Sequence, residues 1–346
     1  MLTVPESLVR EVKKKLSPGA KLFLCATHTH SAPDSQMLNE RMTLSIPGIA
    51  KFDSKWLDWY STRIAQTVTQ SMRSIAPLHD AKVQFERVSL NRARRKLANP
   101  MNLATLVQFG DFRLLHYAAH ATIHGDEQLQ TSGDWPGSVV QNKFAHMVLP
   151  GAIGDVSPAS EGTNASAQLA HFAQTLRSEF GSSIPTHRQN LNLHQISWTE
   201  VPIALDPVIA SPAFSSHFRV PEALARLAVN QFAPKEGVVS AIRIGKLAIV
   251  GIPGEPTSEI GVTIREVGRR MGFEFVLPVS HVNGWIGYIL TPEDLNRGGY
   301  EAALNFHGPQ TSAKVISAAT KALEALARQD FATASVGLGR GVSASR

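Results

Sequence analysis

Two histidines separated by one residue, His28 and His30, follow a short apolar run in the stretch KLFLCATHTHSAP. The run over 22–26 reads as a buried strand, so both imidazoles fall at its C-terminal end, where a loop can hold a ligand. Histidine is the commonest metal ligand, and two at this spacing can share one site if the backbone leaves strand geometry between them. Taken alone, the pair reads equally well as a surface loop. His120 and Glu255 change the inventory: with His28 they supply two nitrogens and one carboxylate, the set found in catalytic zinc sites that keep a position open for water. Singly, His120 reads as a core histidine bonded to backbone, and Glu255 as an acid favoured by a helix N-terminus.

These residues need elements to carry them. A helical stripe of Leu8, Val9, Val12 and Leu16 precedes the 22–26 strand, and Leu57, Tyr60, Ile64, Val68 and Met72 predict a long amphipathic helix over 55–75. Alternation over 81–90 predicts a strand that delivers Asn91 and Arg92. Strands over 105–109 and 112–118 flank Gly110-Asp111, a hairpin signal, and the second leads to His120. A helix opening at Trp135-Pro136-Gly137, a strand over 147–149 and a helix over 164–180 come next. The Pro/Ser/Phe-rich stretch 207–221 reads as a long loop, a lid or substrate wall. A hairpin over 238–252 ends in Pro253-Gly254-Glu255-Pro256, and Pro256 can start the helix that turns Ile260, Ile264, Val267 and Met271 inward. A strand over 273–279 and a helix over 310–327 complete the pattern. The expectation is an α/β (α+β) fold, mixed β-sheets flanked by helices in one domain over 1–330, with an unstructured tail over 331–346.

Composition narrows the function classes. The 346 residues are 43% hydrophobic and 18% charged, an ordinary globular balance able to bury a sizeable core. A formal charge of +6 from 34 basic and 28 acidic residues is dilute, and the basic cluster Arg92, Arg94, Arg95, Lys96 has no interleaved aromatics, which argues against nucleic acid. The single cysteine, Cys25, lies in the apolar run and reads as a buried, inert thiol. No apolar run is long enough to span a bilayer, and the first 18 residues read as an amphipathic helix rather than a signal peptide. As written, the chain is expected to be cytoplasmic; a preceding leader would make it secreted or periplasmic.

Six segments, in order, resemble the catalytic domain of the neutral (non-lysosomal) ceramidase family. ATHTHSAP resembles the family's HTHS loop, and LNRARRKLANP its NRS…NP segment. AAHATIHGDEQLQTSGDWPG is similar to the H-x-T…SGD-x-x-G stretch, GAIGDVSP to GDVSP(N), and IPGEPTSEIG to the E-F-T segment. GYILTPEDLNRGGYEAALNFHGPQT resembles Y-x-x-T-x-E-E-Y…YE…GP-x-T and keeps Tyr288 and Tyr300 twelve positions apart. The resemblance implies a zinc amidase that splits ceramide, or a similar lipid-like amide, with Zn2+ held by His28, His120, Glu255 and Tyr288. It implies His30 as acid/base or hydroxyl partner, Arg92 and Tyr300 at the amide carbonyl, and Ser157 as nucleophile or partner of a substrate hydroxyl. The second role for Ser157 suits the chemistry better, because metal-activated water already supplies a nucleophile and no histidine follows at a nucleophile elbow. Asp134 is a candidate to hold His120 from behind.

The chain also departs from the family. Members carry a longer glycine-rich N-terminal section and a C-terminal immunoglobulin-like domain, and this sequence resembles the part between them. Pro256 replaces the family's Phe, Ala159 its Asn, and Asp294-Leu295 its Glu-Tyr. Two other readings stand beside the amidase. One is a non-catalytic ceramidase-like protein that binds a lipid or a partner. The other is a metal-dependent amidohydrolase barrel, which also opens with HxH after a strand.

Overall fold

The computed structural model describes residues 1–73, 80–95, 99–181, 188–193 and 195–337. In its first half, helix α1 (Glu6–Lys15) precedes helix α2 (Ser54–Arg73) and strands β1 (Ala81–Arg87), β2 (Asn91–Ala93), β3 (Leu103–Phe109) and β4 (Phe112–Tyr117). Helix α3 (Asp134–Gln141), strands β5 (Met147–Pro150) and β6 (Val156–Pro158), helix α4 (Ala165–Gly181) and strand β7 (Arg188–Asn190) follow. The second half begins with strand β8 (Ile196–Pro202), helices α5 (Pro212–Phe218) and α6 (Glu222–Phe232), and strands β9 (Val238–Ile244), β10 (Leu247–Gly251) and β11 (Glu255–Pro256). Helix α7 (Ser258–Arg270), strands β12 (Phe275–Val279) and β13 (Tyr288–Ile289), and helices α8 (Pro292–Asn296), α9 (Tyr300–Ala303) and α10 (Thr311–Gly337) end it.

Side-chain alternation along the central strands decides how these pieces stack. In β4, Leu114 packs with Leu247 and Ile249 of β10 and with Phe275 and Leu277 of β12. Its neighbours Leu115 and Tyr117 point the other way, onto Trp135 and Val139 of α3 and Phe172 and Leu176 of α4. In β10, Ala248 and Val250 face Ile260 and Ile264 of α7 and Val315, Ala319 and Leu323 of α10. Both sheets are therefore apolar on both faces, and the solution is four layers: helix, sheet, sheet, helix. The first sheet runs β5-β4-β3-β1-β7 and the second β12-β10-β9-β8, each mostly antiparallel with one parallel pair. Each fully buried aliphatic or aromatic side chain contributes about 1.5–3 kcal/mol, so this doubled interior is a rigid platform for the loops at the strand ends.

Two small sheets lie beside the large ones. β11 pairs with β13 in parallel, setting Glu255 opposite Tyr288. β2 pairs with β6 antiparallel, setting Arg92 opposite Ser157.

The mixed α/β pattern stands, and several expectations need correction. These open, mainly antiparallel sheets are not a closed parallel barrel, which removes the amidohydrolase-barrel reading. The 22–26 run is extended but forms no regular strand: Cys25 makes an isolated bridge to Val282, and the Asn283 side chain takes the Leu24 amide (2.9 Å) and the Leu22 carbonyl (2.6 Å). A side chain thus occupies backbone groups that a neighbouring strand would otherwise pair. Leu22 and Ala26 are covered by Leu8 and Val12 of α1, and burial pushes the Cys25 thiol up. The 207–221 stretch contains α5, with Pro212 at its first position and the Phe214 amide donating to Ser211 Oγ (3.2 Å). Position 331, where the tail was expected to begin, is inside α10. The end of the helix expected over 55–75, Lys96 of the basic cluster and positions 338–346 of the tail lie outside the described residues. No described helix is long and apolar enough to cross a membrane.

Candidate metal centre

The chain leaves extended geometry at His28 itself, whose φ of 60° is left-handed, and this turns both His28 and His30 toward one point. His28 is buried and donates from Nδ1 to the Leu2 carbonyl (2.7 Å). His120, three residues beyond β4, is also buried and donates from Nδ1 to the Val156 carbonyl (3.0 Å). A carbonyl only accepts, so each Nδ1 carries the proton and each Nε2 presents a lone pair. Those lone pairs face Glu255, whose Oε2 is 3.5 Å from His28 Nε2 and 3.3 Å from His120 Nε2. His30 Nε2 is 3.3 Å from His28 Nε2, and the Tyr288 hydroxyl is 3.4 Å from His120 Nε2.

Glu255 Oε1 accepts from Trp285 Nε1 (2.8 Å), whereas the buried Oε2 has no hydrogen-bond donor. A buried carboxylate oxygen with no donor, facing two imidazole nitrogens, calls for a cation. The spacing fits one. Ligand atoms about 2.0–2.1 Å from a tetrahedral zinc lie about 3.4 Å from each other, and the three separations above among His28, His120, Glu255 and Tyr288 run from 3.3 to 3.5 Å. Histidines oriented through Nδ1 by backbone carbonyls are the usual support for such a site. Two groups could hold a metal ion, His28 with Glu255 and His281, and His28 with His30 and His120; the ring nitrogens of His28 and His120 also converge on Glu255.

The protonation states agree. Burial, then the neighbouring His281, hold His28 well below the usual histidine range, so its ring is neutral. Burial opposes the charge of Glu255, and the protons that His28, His120 and His281 can carry favour it, so the carboxylate is held low. Tyr288 is pushed well above the usual tyrosine range by burial and then by Glu255, so it stays a phenol unless a cation stands beside it.

The neighbouring loops support this geometry. A Cβ at Gly154 would lie 2.6 Å from the Glu255 carbonyl oxygen, so the GDVSP turn can press against the Glu255 strand only with glycine there. Asp155 accepts from the Ser258 amide (2.7 Å) and hydroxyl (2.8 Å), fixing the start of α7 just after Glu255.

The structure gathers His28, His30, His120, Glu255 and Tyr288, with Tyr300 at the rim, its ring 5.8 Å from that of Tyr288. Arg92 and Ser157 are brought to each other instead. Arg92 is exposed, donates from Nε to the Pro158 carbonyl (3.4 Å), and shares with Ser157 a hollow of about 510 Å³. Among the described residues, no hydrogen bond or ion pair joins either side chain to the histidines. The guanidinium at the cluster belongs to Arg94, with one terminal nitrogen 3.0 Å from His120 Nε2. Asp134 does not support His120: its carboxylate accepts the amides of Ile123, His124 and Trp135 and shapes the following loop. Two further residues escaped the sequence. Trp285 anchors Glu255, and His281, fully buried at φ 56°, stacks on His28 with ring centroids 4.1 Å apart. Only the three-residue interval from Trp285 to Tyr288 could have hinted at either.

Comparison with known proteins follows the same line. No protein-family profile matches the chain. Over 83 residues it is 35% identical to a neutral ceramidase of Mycobacterium tuberculosis (strain ATCC 25618 / H37Rv), covering 23% of this chain and 13% of that protein. The crystal structure of neutral ceramidase from Pseudomonas aeruginosa superposes with a TM-score of 0.76 at 16% identity, over 95% of this chain and 65% of that one. A ceramidase complexed with C2 superposes with a TM-score of 0.78 at 15% identity, over 95% and 66%. The chain therefore spans less than two thirds of any of these relatives. Its fold is that of the neutral ceramidase structures over 95% of the chain.

Proposed function

We propose that the chain is a zinc-dependent amidase that hydrolyses the N-acyl amide bond of ceramide or a similar lipid amide. The observation that carries this reading is the buried convergence of two Nε2 lone pairs and a donorless carboxylate oxygen. His28, His120, Glu255 and Tyr288 would hold the ion. Bound zinc supplies Lewis acidity, polarising a carbonyl and acidifying water. In the reaction, water oxygen adds to the amide carbon, the C–N bond breaks, and a proton passes to the leaving nitrogen, giving a fatty carboxylate and a free amine.

The chain's own residues would do the rest. His30, more open to solvent than the other imidazoles, is held down to about 4 by desolvation and then by His120, so it is a neutral acceptor positioned to take and return a proton. Tyr300 at the rim would hold the carbonyl oxygen, with Arg92 the basic residue assigned there. Ser157 would orient a substrate hydroxyl from the adjoining hollow. Near Tyr300, Phe214, Trp285 and Phe306 form one apolar cluster, and His217 of α5 packs on Tyr300 with centroids 5.4 Å apart.

The test is metal content per chain by elemental mass spectrometry, combined with turnover of ceramide and simpler N-acyl amides. One zinc per chain with amide hydrolysis is the expected result. Metal without turnover of any amide would leave a lipid-binding protein, and absence of metal after zinc loading would refute the centre itself.

A further inference from the structure

The Arg94 guanidinium is placed unlike any other among the described residues. Its neighbour Arg95 is saturated: it meets Glu301 Oε2 at 2.9 Å and donates to the carbonyls of Asp294 and Gly298. Arg94 reaches the other oxygen of Glu301 only at 3.6 Å, beyond hydrogen-bond range. Its remaining partners are His120 Nε2 and the Tyr288 oxygen. Both are candidate metal ligands, and the single Nε2 lone pair of His120 cannot serve an ion and a guanidinium together. Once the ion takes it, Arg94 keeps its charge and loses that acceptor, while the Glu301 carboxylate stays at 3.6 Å. Its side chain is 26% exposed, and its guanidinium carbon lies 5.9 Å from the centre of the Tyr300 ring, at the rim of the site.

A planar fork of donors whose nearest acceptor is withdrawn, beside the place where an amide is cleaved, fits a carboxylate better than a hydroxyl. We propose that the preferred substrates are anionic N-acyl amino acids, whose carboxylate, one carbon from the amide nitrogen, is held by Arg94. The inference rests on the amidase reading and names its substrate class. The neutral hydroxymethyl group that ceramide carries at the same distance would leave the guanidinium poorly satisfied.

Binding and cleavage separate the two ideas. Uncleavable ketone isosteres of N-dodecanoylglycine and N-dodecanoylethanolamine, with a methylene in place of the amide N–H and equal in chain length, are titrated calorimetrically into the zinc-loaded protein, and both amides are then assayed with it. A charge-assisted hydrogen bond is worth about a 10- to 100-fold preference for the glycine conjugate, in affinity and in kcat/KM. Arg94→Gln should bring the affinity ratio to about one, and Arg94→Lys, which keeps the charge, should retain part of it. Equal affinities in the wild type, or a preference that survives Arg94→Gln, would overturn the assignment. If the glycine conjugate is preferred in binding and neither amide is cleaved with zinc, the recognition by Arg94 stands and the amidase reading falls.

Discussion

Acid should weaken the fold through His116, by an amount that can be worked out. This histidine lies in β4 between the two sheets, 5% exposed, and donates from Nε2 to the Pro278 carbonyl of the facing sheet (2.7 Å), while its buried Nδ1 has no partner. Burial pulls its pKa down to about 4; the Pro278 carbonyl opposes the shift and Arg265 reinforces it. An unfolded histidine titrates near 6.5, so the unfolded chain takes up the proton first. Stability from this group is therefore complete above about pH 6.5 and lost as pH falls toward about 4. The full loss is about 3 kcal/mol, of which about 2 kcal/mol is gone by pH 5. Urea unfolding of wild type and His116→Gln at pH 7.5 and 5.0, with zinc removed, isolates the effect, because His28, His30 and His281 titrate alike in both proteins. The substitution costs stability at pH 7.5 through lost packing, but the gap should shrink by about 2 kcal/mol at pH 5. Parallel loss in the two proteins would show that His116 is not held neutral between the sheets.

Other substitutions probe the site's construction. Gly154→Ala should lower thermal stability by several degrees and loosen metal binding, since the new methyl meets the Glu255 carbonyl backbone at 2.6 Å; an unchanged melting curve would contradict that packing. Tyr288→Phe keeps the buried ring and removes its oxygen, so zinc affinity measured by chelator competition should fall about 10-fold or more with little change in folding. Unchanged affinity would remove Tyr288 from the ligand set. Ser157→Ala should keep full metal content and some turnover, with the greatest loss on hydroxylated substrates; complete loss on every amide would instead make Ser157 a nucleophile.

Much of the site was legible because its residues sit in short segments whose order and spacing carry information. His28 and His30 bracket a turn, His120 follows a strand, and Glu255 and Tyr288 end up opposite each other on paired strands. What was misread follows from what sequence patterns average over. An apolar run such as 22–26 has the same composition whether a strand or the Asn283 side chain takes its backbone groups. Arg92 and Arg94 have the period of one strand face, but β2 ends at Ala93, and the Arg94 amide turns to the Asp155 carbonyl (2.7 Å), so the two side chains part. His281 and Trp285 act through stacking and one long-range hydrogen bond, which no local period records. The α5 helix did have a signal, Ser211 before Pro212, hidden in a stretch whose prolines read as loop.

The central claim is that Glu255 completes a metal centre on which amide hydrolysis depends. Glu255→Gln replaces one oxygen with an amide nitrogen and removes the charge facing His28 and His120. The decisive measurement is zinc per chain and N-acyl amide turnover in this variant beside the wild type, with circular dichroism to show that both are folded. Zinc and turnover should be lost together. A folded Glu255→Gln protein that holds a full equivalent of zinc and cleaves the amide at the wild-type rate would contradict the account.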